Sequence, residues 1–332
     1  MIIFYNPYEK GFNTGATRRI DFLMSGLSEH RVKSFFYSKE YIENSKILSL
    51  LAKVPIVDRF LYFFQVCFLA FKGHKVITEV IFAPVFLKNV YLTIHDLKAF
   101  DSKAKRGRGK KIIYKLFSKL AHTIITVSHY TKNQIAEQCN TAHNKIFVIH
   151  NGVRQLNINL LQSLTPQKEY DFVYVSSFAK HKRHIQLIKA LPTGSSLLLI
   201  GRDFGELDEV RSTITKYNSN VSIKTSVSSD QELYSNIKKA NIGVFPSIYE
   251  GFGIPILEYS AANLFVVATD IPPFIELKEF IHIQYRADDI DALRGSLEAA
   301  LDKYQNNVVS NLDKISKYNE VTLASKLLNL IY

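Results

Sequence analysis

Tryptophan is absent from this 332-residue chain, and cysteine occurs only twice, as Cys67 and Cys139. The two cysteines stand in unrelated apolar segments, which excludes a cysteine-based metal or redox motif and agrees with a reducing compartment. A long apolar run is also missing. The longest, Phe60–Phe71, has about half of the ~20 residues that a membrane-spanning helix needs, so we interpret it as a helix that is buried or faces an interface.

The start of the chain, MIIFYNPYEKGFN, lacks a basic segment followed by an apolar stretch and a cleavage site. Nothing in it marks the chain for export, so we expect a cytoplasmic protein. Hydrophobic residues make up 47% and charged residues 22% of the sequence, the composition of a globular protein. At ~100–200 residues per domain, the length predicts about two domains.

Positive charge is concentrated in the first half of the chain. The formal net charge is +12, and residues 1–154 carry 24 Lys and Arg against 10 Asp and Glu, whereas residues 155–332 carry 18 against 20. This asymmetry predicts that the first half faces an anionic partner: a phospholipid surface, a phosphate-bearing acceptor or nucleic acid. A solvated loop is the alternative interpretation of the densest patch. That patch comprises Lys103, Lys105, Arg106, Arg108, Lys110 and Lys111.

Short β-branched runs alternate with helix-length amphipathic stretches along the whole chain. The alternation predicts an α/β fold in which helices connect parallel strands, built as two doubly wound, Rossmann-like domains facing across a cleft. We place the first domain at residues 1–154, a polar linker at 155–170, the second domain at 171–318 and a C-terminal helix at 319–332. Whether that helix packs back on the first domain stays open.

The segment 246–270, PSIYEGFGIPILEYSAANLFVVATD, holds the most informative pattern. A predicted strand leads into a Gly-Phe-Gly turn, and a proline follows where the first turn of a helix is expected. Gly251 and Gly253 let backbone N–H groups approach a ligand closely, and a helix N-terminus favours an anion. Glu250 and Glu258 flank the turn, and carboxylates are good acceptors for paired hydroxyls. Together these features favour a nucleotide-sugar site.

Two alternatives remain for this segment. Gly-Phe-Gly after a strand is half of the dinucleotide motif G-x-G-x-x-G, and Asp270 ends the next strand, nineteen residues beyond Gly251. Position 256 is isoleucine where that motif requires glycine, however, and Glu258 would then have no role. An ordinary turn with a helix cap explains the glycines but neither glutamate.

The same segment resembles the signature of the retaining GT-B glycosyltransferases of family 4, also called group 1. In that signature two glutamates separated by seven residues follow a P-S-x-x-E-G-F-G-x-P core, the arrangement of Glu250 and Glu258. Together the matching motifs span residues 91–270. In the expected order they are YLTIHD at 91–96, TVS at 126–128, IHNGV at 149–153, SSFAKHKR at 176–183, VSSDQEL at 227–233 and the glutamate segment itself.

The resemblance implies a role for each matching residue. Glu258 would bind the ribose of the donor, Glu250 would hold the transferred sugar, and Lys182 would neutralise the departing diphosphate. Many relatives carry an arginine where this chain has Ser177, and Arg183 and Arg202 are candidate replacements. The implied donor-binding set is Gly15, Ser177, Lys182, Arg183, Arg202, Val227, Glu250, Gly251, Phe252, Gly253, Ile254 and Glu258.

His95 and Asp96 close the strand YLTIHD, and the resemblance implies that they line the acceptor side, with His95 near the donor sugar. With Lys182 and Glu250 they form the implied catalytic set. Gly15 opens the first helix, where relatives carry a glycine-rich loop facing the donor diphosphate. In this family side chains and helix dipoles do the work of a metal, so the resemblance implies no metal and no other cofactor.

We therefore expect a retaining glycosyltransferase that uses a nucleotide-diphosphate sugar. The basic first half adds the hypothesis that the saccharide acceptor is lipid-linked and that the protein lies peripherally on an anionic membrane, in surface-polysaccharide assembly. An NAD-dependent enzyme is the alternative. A nucleic-acid-binding protein is a less favoured one, because no recognition motif accompanies the basic patch, and we expect no nucleic acid partner.

Overall fold

The computed structural model of the protein describes residues 1–6, 15–38, 55–100, 105–217, 219–304 and 311–332. The chain forms two compact units: one comprises Met1–Gly152 and Tyr318–Tyr332, the other Val153–Lys317. Each unit contains a six-stranded sheet, and the described strand pairs are parallel. The prediction of an α/β fold with two doubly wound domains is therefore confirmed.

The first unit has the strand order β2-β1-β3-β4-β5-β6. Strands β1 and β4 are buried along their whole length, as expected for a parallel sheet that is covered on both faces. The strands are β1 (Ile2–Asn6), β2 (Ser34–Ser38), β3 (Lys75–Thr78), β4 (Val90–Ile94), β5 (Thr123–Thr126) and β6 (Ile146–Val148). The helices between them are α1 (Gly15–Glu29), α2 (Pro55–Phe71), α3 (Lys105–Leu120) and α4 (His129–Cys139).

The second unit has the strand order β12-β11-β10-β7-β8-β9. Its helices are α5 (Gln155–Ser163), α6 (His184–Ala190), α7 (Leu207–Tyr217), α8 (Asp230–Lys238), α9 (Ile254–Ala261), α10 (Ile290–Lys303) and α11 (Leu312–Ile315). Its strands are β7 (Tyr170–Val175), β8 (Ser196–Ile200), β9 (Asn220–Lys224), β10 (Ala240–Phe245), β11 (Phe265–Thr269) and β12 (Ile283–Tyr285).

The C-terminal helix α12 (Glu320–Ile331) belongs to the first unit, where it packs against α1. Leu323 and Leu327 of α12 are fully buried and share a core cluster with Leu27 of α1. Gly26 permits this close approach, since a Cβ added there would lie 2.1 Å from the carbonyl oxygen of Glu320. The contact therefore depends on a position without a side chain.

The linker prediction is wrong for its first part, because Gln155–Ser163 forms the helix α5. Ile158 and Leu161 are buried, and the helix packs against α8 and α9 within the second unit. Of the four apolar residues in QLNINLLQS, these two stand three positions apart and so lie on one face of the helix.

The run VITEVIF at residues 76–82 predicts a single strand, but the observed strand β3 is shorter and ends at Thr78. The hydroxyl oxygen of Thr78 accepts a hydrogen bond of 3.0 Å from the backbone N–H of Val80, a local bond that competes with continued strand pairing. Glu79 thereby follows the strand end directly.

Part of the basic patch lies in the first turns of α3, and Lys110 is exposed there. Lys103 lies outside the described residues, and for Lys105, Arg106 and Arg108 only the backbone is described. Of the helices that the structure describes, none has the length and apolar character to cross a membrane.

We expect Gly26→Ala to destabilise the first unit by roughly 1–3 kcal/mol, because the added methyl group meets backbone and forces α12 to shift. Urea denaturation followed by circular dichroism measures the change. Gly295→Ala is the matched control, because Gly295 lies inside α10 with open space around its Cβ position. Alanine has the higher helix propensity, so this substitution should stabilise the protein by up to ~1 kcal/mol. Equal effects of the two substitutions would contradict the packing argument.

Candidate functional site

The loop after β10 leads directly into α9 and carries the predicted donor-binding residues. Gly253 caps this helix with φ of 117°, a left-handed conformation that favours glycine, and a Cβ there would lie 2.8 Å from the Phe274 ring. Pro255 occupies the first turn of α9. The sequence thus places the N-terminus of α9 just after the carboxyl end of β10, and the positive end of a helix dipole favours an anion.

Hydrogen bonds tie this loop to the turn after β7. The backbone N–H of Ile248 donates to the carbonyl oxygen of His181 over 3.0 Å, and the Ser247 hydroxyl donates to the same oxygen over 3.2 Å. Thr269, at the end of β11, donates its hydroxyl to the Ser247 carbonyl over 2.6 Å. These hydrogen bonds join the segments that follow three neighbouring strands, β7, β10 and β11.

The joined loops bring Lys182 and Glu250 together. The Lys182 ammonium nitrogen lies 2.5 Å from Glu250 Oε1, and the two side chains are only 15% and 13% exposed. The ammonium also lies 5.8 Å from the centre of the Phe245 ring, and the Tyr174 hydroxyl donates to the Lys182 carbonyl oxygen over 3.0 Å. A fixed, half-buried cation beside a helix N-terminus can bind a phosphate.

His184 begins α6 and lies two residues after Lys182. It is completely buried between the rings of Tyr174 and Phe178, at centroid distances of 4.7 and 4.6 Å. Burial, followed by the neighbouring Lys182 charge, lowers the pKa of His184 to about 3. The imidazole therefore stays neutral and adds no cation beside Lys182.

Glu258, on α9, is 2% exposed, and sequence reasoning missed the residues that hold it. The Tyr234 hydroxyl donates to Glu258 Oε1 over 3.2 Å. Asn157 donates to the Tyr234 oxygen over 2.9 Å and to Asp230 over 3.1 Å. Asn157 comes from α5, so the helix read as a linker orients the carboxylate. The signal in the sequence was that Asn157 and Tyr234 are polar residues at helix positions that face the interior.

The other predicted donor residues differ in their surroundings. Arg183 has left-handed backbone geometry, with φ of 60°, and its guanidinium pairs with Asp288. Arg202 is exposed beside Gly201, whose missing side chain lets the backbone of Ser176 approach: a Cβ would lie 1.8 Å from the Ser176 carbonyl oxygen. Of the two candidate replacements for the missing arginine, Arg183 is thus already engaged by a carboxylate.

The remaining members of the predicted donor-binding set are divided between the two units. Phe252 is the middle residue of the Gly-Phe-Gly turn, and it is buried, with 2% exposure. Gly15 begins α1 in the other unit, and the chain just before it lies outside the described residues. Ser177, Val227, Gly251 and Ile254 are half-buried.

In the first unit, a second polar cluster lies at the carboxyl ends of β1, β3 and β4. His95 Nε2 lies 2.9 Å from Glu79 Oε1, and the Asn6 amide donates to Glu79 Oε2 over 2.8 Å. Asp96, the predicted neighbour of His95, accepts the Lys98 backbone N–H over 2.8 Å and so shapes the following turn. Of this cluster, sequence reasoning identified His95 and Asp96 but not Glu79 or Asn6.

Arg19, from α1, is a buried cation near this cluster, with 4% exposure. Its guanidinium donates to the carbonyl oxygens of Ile149 and His150 over 2.9 and 3.0 Å, and to Asn151 Oδ1 over 2.7 Å. Burial lowers the pKa of Arg19 to about 10, partly offset by the charge of Glu79, so the group remains charged at neutral pH. It fixes the chain segment that leaves β6.

A surface of the first unit combines exposed apolar side chains with lysines, and we call it the aromatic face. Phe82 links its two helices, since its ring centre lies 6.1 Å from Phe63 of α2 and 5.3 Å from Phe117 of α3. Its exposed apolar members are Phe60, Phe64, Phe68, Phe71, Phe86, Ile112, Leu116 and Leu120. The lysines beside them are Lys72, Lys110, Lys115 and Lys119, all exposed.

Two family models match successive parts of the chain. The model of glycosyltransferase family 4 covers residues 83–155. The model of glycosyl transferases group 1 covers residues 159–307, and with them the Lys182–Glu250 pair and Glu258. Neither model describes a dehydrogenase or a nucleic-acid-binding protein.

Curated relatives include the O-antigen chain mannosyltransferase RfbU of Salmonella typhimurium, which is 29% identical over 70% of this chain and 64% of its own length. A GDP-mannose:cellobiosyl-diphosphopolyprenol alpha-mannosyltransferase of Xanthomonas oryzae is 27% identical over 49% of this chain and 43% of its own length. The matches thus span less than two thirds of the length of these relatives.

Solved structures share the fold at low sequence identity. A glycosyltransferase from Rickettsia africae is similar with a TM-score of 0.73 at 16% identity, over 99% of this chain and 97% of its own. The structure of Anabaena HepE in complex with UDP and glucose is similar with a TM-score of 0.71 at 16% identity, over 99% of this chain and 98% of its own. These likenesses show the GT-B fold, and the two family models, which together match residues 83–155 and 159–307, show that the chain belongs to the family 4-like glycosyltransferases.

Proposed function

We propose that the protein transfers a sugar from a nucleotide-diphosphate sugar to a saccharide acceptor in surface-polysaccharide assembly. The carrying observation is the donor loop: Glu250 paired with Lys182 at the N-terminus of α9, and Glu258 held one turn further on by Tyr234. The relatives named for O-antigen and diphosphopolyprenol-linked mannosyl transfer support the polysaccharide context.

The donor loop offers a separate partner for each part of such a donor. The N-terminus of α9 and Lys182 suit the diphosphate, because both present positive charge. Glu258 accepts two hydroxyls of a ribose diol, and Glu250 accepts hydroxyls of the transferred sugar. The structure of HepE with UDP and glucose provides a related example of such ligands on this fold.

Lys182 has the role of stabilising the leaving group. When the glycosyl bond breaks, negative charge grows on the departing diphosphate, and a fixed ammonium interacts with it more strongly in the transition state than before. We propose a reaction with retention of configuration in which the leaving phosphate deprotonates the acceptor hydroxyl on the same face. Orientation of the two substrates then dominates the rate, and we expect no metal requirement.

We further propose that the acceptor is lipid-linked and that the aromatic face docks on an anionic membrane. Its phenylalanines recur along one side of α2, at positions 60, 64, 68 and 71, and are 53% to 81% exposed. Lysines border this apolar strip, the combination typical of helices that lie in a membrane interface. A lipid-linked acceptor would be presented at the same surface.

We expect one nucleoside diphosphate to raise the thermal midpoint of the wild-type protein, since a ligand of the folded state stabilises it. Glu258→Gln keeps the shape and the Tyr234 contact but loses one acceptor oxygen. The substitution should weaken the binding of that nucleotide by roughly 10–100-fold, which corresponds to the loss of ~1.5–3 kcal/mol from a charged hydrogen bond. Glu298→Gln, an exposed glutamate of α10, is the control. A panel in which no nucleotide stabilises the wild type argues against the function.

We expect Lys182→Met to lower kcat for donor turnover by ~10²–10³-fold, because the developing diphosphate charge loses its fixed cation. Lys180→Met is the matched control, since Lys180 is exposed on the same turn and should leave kcat nearly unchanged. Turnover of the identified nucleotide-sugar, with and without EDTA, measures both this effect and the expected metal independence. Similar losses in both variants would contradict the assignment.

For the aromatic face, we expect replacement of Lys110, Lys115 and Lys119 by glutamine to weaken binding to anionic vesicles by about 100-fold, at ~1 kcal/mol per lysine. Co-sedimentation with phosphatidylcholine vesicles, with or without phosphatidylglycerol, measures it. The control exchanges three exposed lysines of the second unit, Lys216, Lys278 and Lys303. Unchanged binding of the first variant, or an equal loss in the control, would refute docking through this face.

A further inference from the structure

Glu79 is a partly buried carboxylate that the proposed reaction leaves without a role. It follows β3 directly, its side chain is 12% exposed, and both of its oxygens are engaged, by His95 on one side and Asn6 on the other. His95, at the end of β4, is the residue that family resemblance places near the donor sugar.

The contact between them fixes which ring nitrogen carries hydrogen. Burial alone would raise the pKa of Glu79, but the facing His95, Arg19 and the Asn6 amide together bring it below its ordinary value. Glu79 is therefore ionised at neutral pH and only accepts hydrogen bonds. Across 2.9 Å, His95 Nε2 must then be the donor. In the neutral ring this leaves Nδ1 as the acceptor.

We propose that Glu79 is a positioning residue that holds His95 in the Nε2–H tautomer and in one ring orientation, so that Nδ1 accepts a hydrogen bond from a sugar hydroxyl. The inference rests on the proposed glycosyl transfer. Asn6 fixes the orientation of the Glu79 carboxylate, because its amide donates to Oε2 and leaves Oε1 to His95. The three residues end adjacent strands, so their mutual distances are set by the sheet.

The test combines nitrogen-15 NMR of the histidine rings with steady-state kinetics on the full chain. His95→Gln assigns the His95 signals, and their shifts distinguish the two neutral tautomers. We expect the wild type to show the Nε2–H form and Glu79→Leu to lose this preference. With GDP-mannose and UDP-glucose as probes, Glu79→Leu should lower kcat about tenfold or more while donor KM changes by less than about twofold, as for a misoriented group.

Glu79→Gln separates positioning from a structural role. Its amide oxygen still accepts from Nε2–H, so we expect the tautomer and most of kcat to recover relative to Glu79→Leu. Glu29→Leu, at an exposed glutamate of α1, should change neither readout. A wild-type ring in the Nδ1–H form, or a tautomer that Glu79→Leu does not alter, overturns the inference. If the wild type turns over neither donor, the proposed function fails while the NMR result still decides the tautomer.

Discussion

Parallel strand pairing is the constraint on which both polar clusters depend. All strands of a parallel sheet end at one edge, so side chains that follow neighbouring strands meet there however far apart they lie in sequence. In the second unit, β7 and β10 are neighbours, and this places Lys182 beside Glu250, 68 residues later. In the first unit, β3 lies between β1 and β4, and the same rule gathers Asn6, Glu79 and His95.

Both clusters contain carboxylates that are largely withdrawn from water. Burying a charged carboxylate is costly unless hydrogen bonds and opposite charges compensate it. The protein compensates Glu258 with Tyr234, Glu79 with Asn6 and His95, and Glu250 with Lys182. The Glu258 and Glu79 carboxylates are therefore already oriented before a ligand arrives, so less reorganisation accompanies binding. This preorganisation is what hydroxyl recognition requires, because a misplaced acceptor loses its discrimination between substrates.

The sequence supports the parallel α/β fold and the glutamate loop because strand periodicity, turn glycines and a helix-starting proline are local signals. Partners that depend on tertiary pairing escape such reasoning. Asn157 lies in a helix whose polar composition resembles a linker, and Glu79 lies inside a run that reads as continuous strand until Thr78 bonds to its own following backbone. Tyr234 likewise belongs to no sequence pattern that indicates a site, and its role is evident only from its hydrogen bond to Glu258.

The pairing of the described cations at the donor loop bears on how the proposed reaction would begin. Position 177 is serine, Arg183 pairs with Asp288, His184 is neutral and Arg202 is exposed, whereas Lys182 is held against Glu250. A diphosphate carries more negative charge than one carboxylate and therefore competes with Glu250 for the ammonium. Exchange would release the Glu250 oxygens to accept hydroxyls of the sugar. In the proposed reaction, the arrival of the diphosphate thus prepares the carboxylate that holds the transferred group.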